Sequence, residues 1–231
     1  MRQERDRIPF PAIFDLNTVT KEAPVRNVRI SFPVMAVIMM FVSLMLFPLS
    51  AQSGPRDHNE GFFLRLSAGG GSAATSICLL DEDFALNGPS GDVNLAIGGI
   101  VSPNLALHGT IWGWSVSDPD FEWDGLGLAF EGTDLALSAV GGGLTYYFMP
   151  VNMYLSGSVG IGVLTLDGPL GSGETGGGLA LDITLGKEWW VSDRWALGLS
   201  GGFGHHSIPE EDVDENWSGN SFGIRFSATL N

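Results

Sequence analysis

The sequence predicts an all-β chain: an eight-stranded antiparallel transmembrane β-barrel, wound as an up-and-down meander over residues 61–231. Three observations predict it. First, Ser221–Leu230 alternates without a break: Phe222, Ile224, Phe226, Ala228 and Leu230 fall on one face, and Ser221, Gly223, Arg225, Ser227 and Thr229 on the other. A period of two over ten residues is one strand with an apolar side and a small, polar side. Second, segments of this kind recur along the chain, separated alternately by tight turns and by long acidic stretches. Third, all 33 glycines lie after residue 51, a composition suited to a tightly wound β chain. The last strand has no later hairpin partner. Pairing it with the first strand closes the barrel and leaves no free edge.

The first 51 residues stand outside this pattern. Arg26 and Arg29 precede an apolar run, Phe32–Leu49, and Leu49-Ser50-Ala51 supplies small residues at a cleavage position. That order reads as a secretory signal peptide, 1–51, with a long n-region, cleaved to leave Gln52 first. The run is short for a spanning helix and is interrupted by Pro33 and Pro48. Residues 52–60 form a short segment ahead of the barrel.

Residues 52–231 keep 22 of the 26 acidic residues and 5 of the 11 Lys and Arg, a net charge of −17. So acidic a chain excludes nucleic acid as a partner. The single cysteine, Cys78, has no internal disulfide partner.

The strands follow in order. The first runs from about Gly61 to Ser76, with Phe62, Leu64, Leu66 and Ala68 against Phe63, Arg65, Ser67 and Gly69. An acidic loop through Asp81, Glu82 and Asp83 follows. The second sets Val93, Leu95, Ile97 and Val101 against Asp92, Asn94, Ala96 and Gly98, and turns at Ser102-Pro103-Asn104. The third sets Leu105, Leu107 and Ile111 against Ala106, His108, Thr110, Trp112 and Trp114, and a long acidic loop covers 117–133. In the fourth, Asp134–Phe148, the apolar parity changes across Gly141-Gly142-Gly143, which predicts a bulge. After Met149-Pro150-Val151-Asn152 the fifth sets Met153, Leu155, Val159, Ile161 and Val163 against Tyr154, Ser156, Ser158, Gly160 and Gly162. The sixth sets Leu179, Leu181, Ile183 and Leu185 against Ala180, Asp182, Thr184, Gly186 and Glu188, and turns at Val191-Ser192-Asp193. The seventh sets Trp195, Leu197, Leu199 and Phe203 against Ala196, Gly198, Ser200, Gly202 and Gly204. The acidic stretch Glu210–Glu215 then leads into the last strand.

Each strand is long enough to cross a bilayer at a tilt. The four long loops hold 15 acidic residues and no Lys or Arg. Tyr146, Tyr147, Phe148, Trp189, Trp190 and Trp195 cluster beside the tight turns, as an interfacial girdle requires. Short turns on one side put both termini there, which in an outer membrane is the periplasm. A soluble barrel would keep its apolar face inside and a charged face outside. The second face here is Gly, Ala, Ser and Thr with isolated charges, which suits a filled lumen instead.

Together, the signal segment, the Gly-rich alternating strands, the girdled turns and the terminal FGIRFSATL resemble the small eight-stranded outer-membrane barrels of the OmpA, OmpX and OmpW type over about residues 60–231. The resemblance implies outer-membrane lipid and the barrel-assembly machinery as partners. Such barrels commonly finish on an aromatic residue that the machinery recognises, whereas Leu230 is followed here by Asn231.

Three constellations carry chemistry. Arg65, Arg225, Glu188, Asp182 and Asp92 share the lumenal parity, and buried charges in a narrow barrel are expected to pair. Depth along the strands favours Glu188 as the partner of the arginines, with Arg225–Glu188 the pair to test. His205-His206-Ser207 resembles the His-x-Ser pair of the outer-membrane lipid A deacylases. The family's Asn is Ile208 here, however, and its Glu falls in Ser218-Gly219-Asn220. With no acid to orient the histidine, no catalytic residue is expected. Finally, Asp120-Phe121-Glu122-Trp123-Asp124-Gly125, with Glu131, matches the spacing of a calcium-binding loop except for Glu122 at the third position. Asp120, Glu122, Asp124 and Glu131 are therefore candidate ligands for a divalent cation, with Gly125 turning the chain around it. The expected role is that of a structural or surface-interaction protein of the cell envelope. The alternatives are a conduit for small apolar molecules and a lipid-modifying hydrolase.

Overall fold

The computed structural model describes residues 58, 61–79, 82–123, 126–129, 132–169, 171–210 and 215–231. The proposed signal peptide lies outside the described residues. Among the described residues eleven strands form: β1 (Phe62–Leu79), β2 (Glu82–Ser102), β3 (Leu105–Ser117), β4 (Asp120–Trp123), β5 (Leu126–Ala129), β6 (Asp134–Phe148), β7 (Met153–Gly168), β8 (Gly171–Glu174), β9 (Gly178–Trp190), β10 (Trp195–Pro209) and β11 (Asn216–Leu230). Eight of them are staves of a closed antiparallel meander, β1-β2-β3-β6-β7-β9-β10-β11, each paired to the next. Closure is the predicted one. β11 pairs with β1 over thirteen residue pairs, from Leu64↔Leu230 to Ser76↔Ser218. The wall is thereby closed on itself with no free edge between β1 and β11, as a bilayer demands.

The three tight turns sit at one end. Asn104 and Asn152 adopt left-handed φ values of 63° and 53° in two of them, a conformation that Asn tolerates better than most residues. The opposite end differs from expectation. β1 and β2 run 18 and 21 residues, where about 9–11 suffice to cross a bilayer, and they stay paired up to Leu79↔Glu82. The stretch through Glu82 and Asp83, expected as a loop, is the top of this hairpin. β4 adds to β2 through Phe84↔Trp123 to Asn87↔Asp120, β5 adds to β4, and β8 folds back on β7. The long loops are largely extensions of the sheet.

The medium surrounding each height of the wall explains its composition. Across the lower part the outward residues are large and apolar: Phe226 is 71% exposed, Ile161 64%, Val140 60% and Ile111 57%. The inward ones there mix Arg, Asp, Glu, Ser and Thr with a buried cluster of Phe63, Ala96, Ala106, Tyr147 and Tyr154. Above that band the same two parities exchange character. Outward positions become Ser72, Ser76, Ser115, Ser117 and Asp134, whereas Ile77, Leu86, Trp114, Val116, Leu135, Leu137, Leu164, Leu166, Ile208 and Trp217 pack inside. Hydrocarbon outside and then water outside impose opposite patterns on one continuous strand.

This exchange accounts for the parity change at Gly141–Gly143. The pairing of β6 with β3 and with β7 is unbroken through that point, and Leu135, Leu137, Ala139, Thr145 and Tyr147 all face inward. There is no bulge: the apolar residues move inside because β6 leaves the bilayer. The register shift among these pairings lies in β2, between Ile100 and Ser102.

Candidate functional site

The lumen is the site that the fold builds, and it is filled in layers. At the turn end, His58 caps the mouth. Its backbone N–H donates to Asn104 Oδ1 (3.0 Å) and its carbonyl accepts from Asn104 N–H (2.7 Å). Its ring lies flat on Tyr147, with centroids 3.7 Å apart. Asn152 Nδ2 donates to the Glu188 carbonyl (3.2 Å), which turns Asn152 Oδ1 toward His58 Nε2 at 3.0 Å. Asn231 Nδ2 contacts the other ring nitrogen, Nδ1. Nε2 therefore donates and Nδ1 accepts, so the set requires a neutral ring. Burial pushes the His58 imidazole below its ordinary value, which agrees with that requirement.

The next layer is built on Arg65 and Glu188, both almost fully buried. Arg65 Nε stands 3.3 Å from Glu188 Oε1. It donates to Thr229 Oγ1 (3.3 Å), and Nη2 donates to Tyr147 Oη (2.7 Å). Thr229 Oγ1 in turn donates to Glu188 Oε1 (2.7 Å), and Tyr147 Oη to Oε2 (3.3 Å). The guanidinium also lies over the Tyr154 ring, 3.8 Å from its centroid. Thr145 Oγ1 donates to Ser156 Oγ (2.9 Å) and is 3.0 Å from His108 Nε2.

Above it, Arg225 pairs with Asp182. Nη2 is 2.9 Å from Oδ2, and Nη1 donates to Oδ1 (3.1 Å) and to Thr184 Oγ1 (3.3 Å). Asp92 Oδ1 is 4.0 Å from Arg225 Nη2. All five charges predicted for the lumen are there, but the partners differ in one respect. Glu188 pairs with Arg65, and Arg225 pairs with Asp182 rather than with Glu188. Strand-by-strand depth missed this because cross-lumen neighbours depend on the tilt of the staves, which alternation does not reveal.

Glycine makes the room for these side chains. A Cβ at Gly186 would come within 2.5 Å of the Tyr154 ring, and one at Gly202 within 3.0 Å of the Arg225 guanidinium. His206 continues the column, with Nε2 2.9 Å from Thr75 Oγ1. Trp112, Ala139 and Ala180 close together beside it, and the apolar cluster around Trp114, Phe121 and Trp217 fills the far end.

The other candidates fall outside the lumen. His205 faces outward, with Nδ1 3.0 Å from Asn220 Oδ1, and Ser207 faces Ser218. An amide stands where an orienting carboxylate would be needed. Asp120 and Glu122 are exposed on one face of β4, with Phe121 buried on the other. The chain there is extended and paired, rather than wound round a point. Asp124 and Glu131 lie outside the described residues. Of the girdle, Tyr146, Phe148 and Trp195 are exposed to the surroundings, whereas Tyr147 and Trp190 belong to the lumen.

Sequence reading missed His58 altogether and missed the structural weight of Tyr147, Tyr154, Thr145 and Thr229. For the tyrosines a signal existed. Tyr147 and Tyr154 sit at inward parity opposite one another across a turn, Tyr147↔Tyr154.

The closed meander with an apolar outer band defines the class: a small eight-stranded transmembrane β-barrel. No family model matches the chain, and no curated protein does. Among solved structures it is similar to Neisserial surface protein A (14% identity over 73% of this chain and 96% of that one, TM-score 0.49). It is also similar to the outer membrane protein OprG from Pseudomonas aeruginosa (13%, 75% and 98%, 0.41) and to Ail, the attachment invasion locus protein of Yersinia pestis (12%, 73% and 99%, 0.37). These are resemblances of shape, and the fold assignment rests on the strand pairing itself.

Proposed function

We propose that the protein is an outer-membrane barrel with a structural and surface-interaction role, exported by a signal peptide cleaved before Gln52. One observation carries the reading: the lumen is occupied from the His58 cap to the apolar outer cluster by packed or hydrogen-bonded side chains. A wall filled inside and acidic at its outer end presents surface rather than a passage. Function in such a barrel resides in what its upper rim touches.

The test is a deletion strain challenged with detergents, bile-like amphiphiles and chelators, alongside uptake of an apolar solute. The reading expects sensitivity to amphiphiles with uptake unchanged. Altered uptake would support a conduit instead, and deacylated lipid A in expressing cells would support a hydrolase. The acidic outer hairpins are the second part of the reading, with Asp120 and Glu122 side by side and Asp124 and Glu131 near them in sequence. They take up calcium at low affinity, in the range of roughly 10⁻⁴–10⁻³ M of extracellular modules. Trp123 fluorescence should then respond saturably to calcium in the wild type and weakly in Glu131→Gln. No response at millimolar calcium would leave a solvated acidic rim.

A further inference from the structure

Between the two ion-pair layers lies a chamber of about 10 Å³, lined by Arg65, Tyr154, Ser156, Asp182, Thr184 and Arg225 among others. Its size is that of a single water molecule. Two of its lining residues carry a buried polar atom, Tyr154 Oη and Arg225 Nε, with no hydrogen-bond partner among the described residues. Both residues are almost fully buried: Tyr154 is 0% exposed and Arg225 3%. A buried donor left unpaired is destabilising, so the chamber calls for a ligand that accepts.

We propose that this chamber is a binding site for one ordered water molecule, which bridges Arg225 Nε–H and Tyr154 Oη and ties the Arg65–Glu188 layer to the Arg225–Asp182 layer. Charge and chemistry select water over the alternatives. Arg65 and Arg225 are already matched by Glu188 and Asp182, so a small anion would find no cation left to neutralise it. A cation would face the Nε–H of Arg225, which can only donate. Water accepts from Arg225, exchanges a hydrogen bond with the phenol and keeps a proton for the nearby hydroxyl of Ser156 or Thr184. Tyr154 thereby becomes the hinge of the septum. Its ring face carries the Arg65 guanidinium, and it lines the same chamber as Asp182, Thr184 and Arg225 of the layer above. The inference rests on the closed-lumen reading and deepens it, because a chamber for one molecule interrupts any water file.

A crystal structure at about 2 Å or better is the test. One compact density peak within hydrogen-bond distance (~3.2 Å) of both Tyr154 Oη and Arg225 Nε is expected, absent from Tyr154→Phe if the phenol holds it. A dry chamber, or one closed by a shifted side chain, overturns the proposal. If crystals fail, a water-frequency cross-peak to the Arg225 Hε in exchange-resolved NMR of the micelle-bound protein serves the same purpose, and its absence counts against the water. Osmotic permeability of proteoliposomes reads the closed lumen separately. A dry chamber with lipid-level permeability sinks the water alone, and permeability above that of the lipid sinks the closed lumen.

Discussion

Arg65 and Glu188 show how a charge is kept at bilayer depth. Neither could be left alone in a low-dielectric interior, and each has its hydrogen-bonding capacity met by Tyr147 and Thr229 as well as by the other. Removing one member leaves the other charged, buried and unpaired. Arg65→Ala and Glu188→Ala should therefore each destabilise by about 3–5 kcal/mol, and the double variant by much less than the sum. Equilibrium unfolding in lipid vesicles measures this, and additive losses would mean the contact contributes nothing specific. His58 gives a pH dependence. Its ring is neutral in the fold, and burial lowers its affinity for protons, whereas in the unfolded chain it titrates near about 6.5. Below that value the unfolded state binds the proton and the native state does not. The contribution is thus complete above about pH 6.5 and is lost as pH falls through the lowered folded value. The wild type should lose more thermal stability between pH 8 and pH 5 than His58→Gln does. Parallel profiles would contradict the assignment. Sequence alone placed Arg65, Arg225, Glu188, Asp182 and Asp92 inside, because parity decides that. It could not pair them, and His58 lies in a segment with no alternation to read.

At the scale of the strand, the exchange of polarity along one stave fixes where the bilayer ends. Leu144, on the outward face of β6, is 50% exposed within the apolar band. Ser115, on β3, faces outward above it. Leu144→Arg should cost about 2–4 kcal/mol, as charge does near the midplane, whereas Ser115→Arg should cost about 0–1 kcal/mol. Unfolding titrations in bilayers compare the two directly, and equal costs would remove the boundary drawn between them. The same exchange marks the limit of the sequence reading. Alternation located all eight staves where one face meets hydrocarbon. Above the bilayer the apolar residues Leu86, Leu135, Leu137 and Ile208 change sides, so the stretch through Glu82 and Asp83 read as loop and Gly141–Gly143 as a bulge. Both are continuous sheet, and the change of solvent supplies the reason.

On the scale of the whole molecule, the barrel is closed three times over: by β1–β11 pairing around its circumference, by the His58 cap and ion-pair layers at the turn end, and by the apolar cluster at the far end. The first closure was legible in the terminal strand. The others depend on side chains meeting across the lumen, which no local pattern encodes. Together they leave no open path along the lumen among the described residues, and the barrel is expected to pass no ions. Reconstitution into planar bilayers, with single-channel recording at high salt, tests it most directly. The expected current is no different from that of protein-free lipid, for the wild type and at both polarities. Repeated openings of a fixed amplitude, scaling with the amount of folded protein, would contradict it.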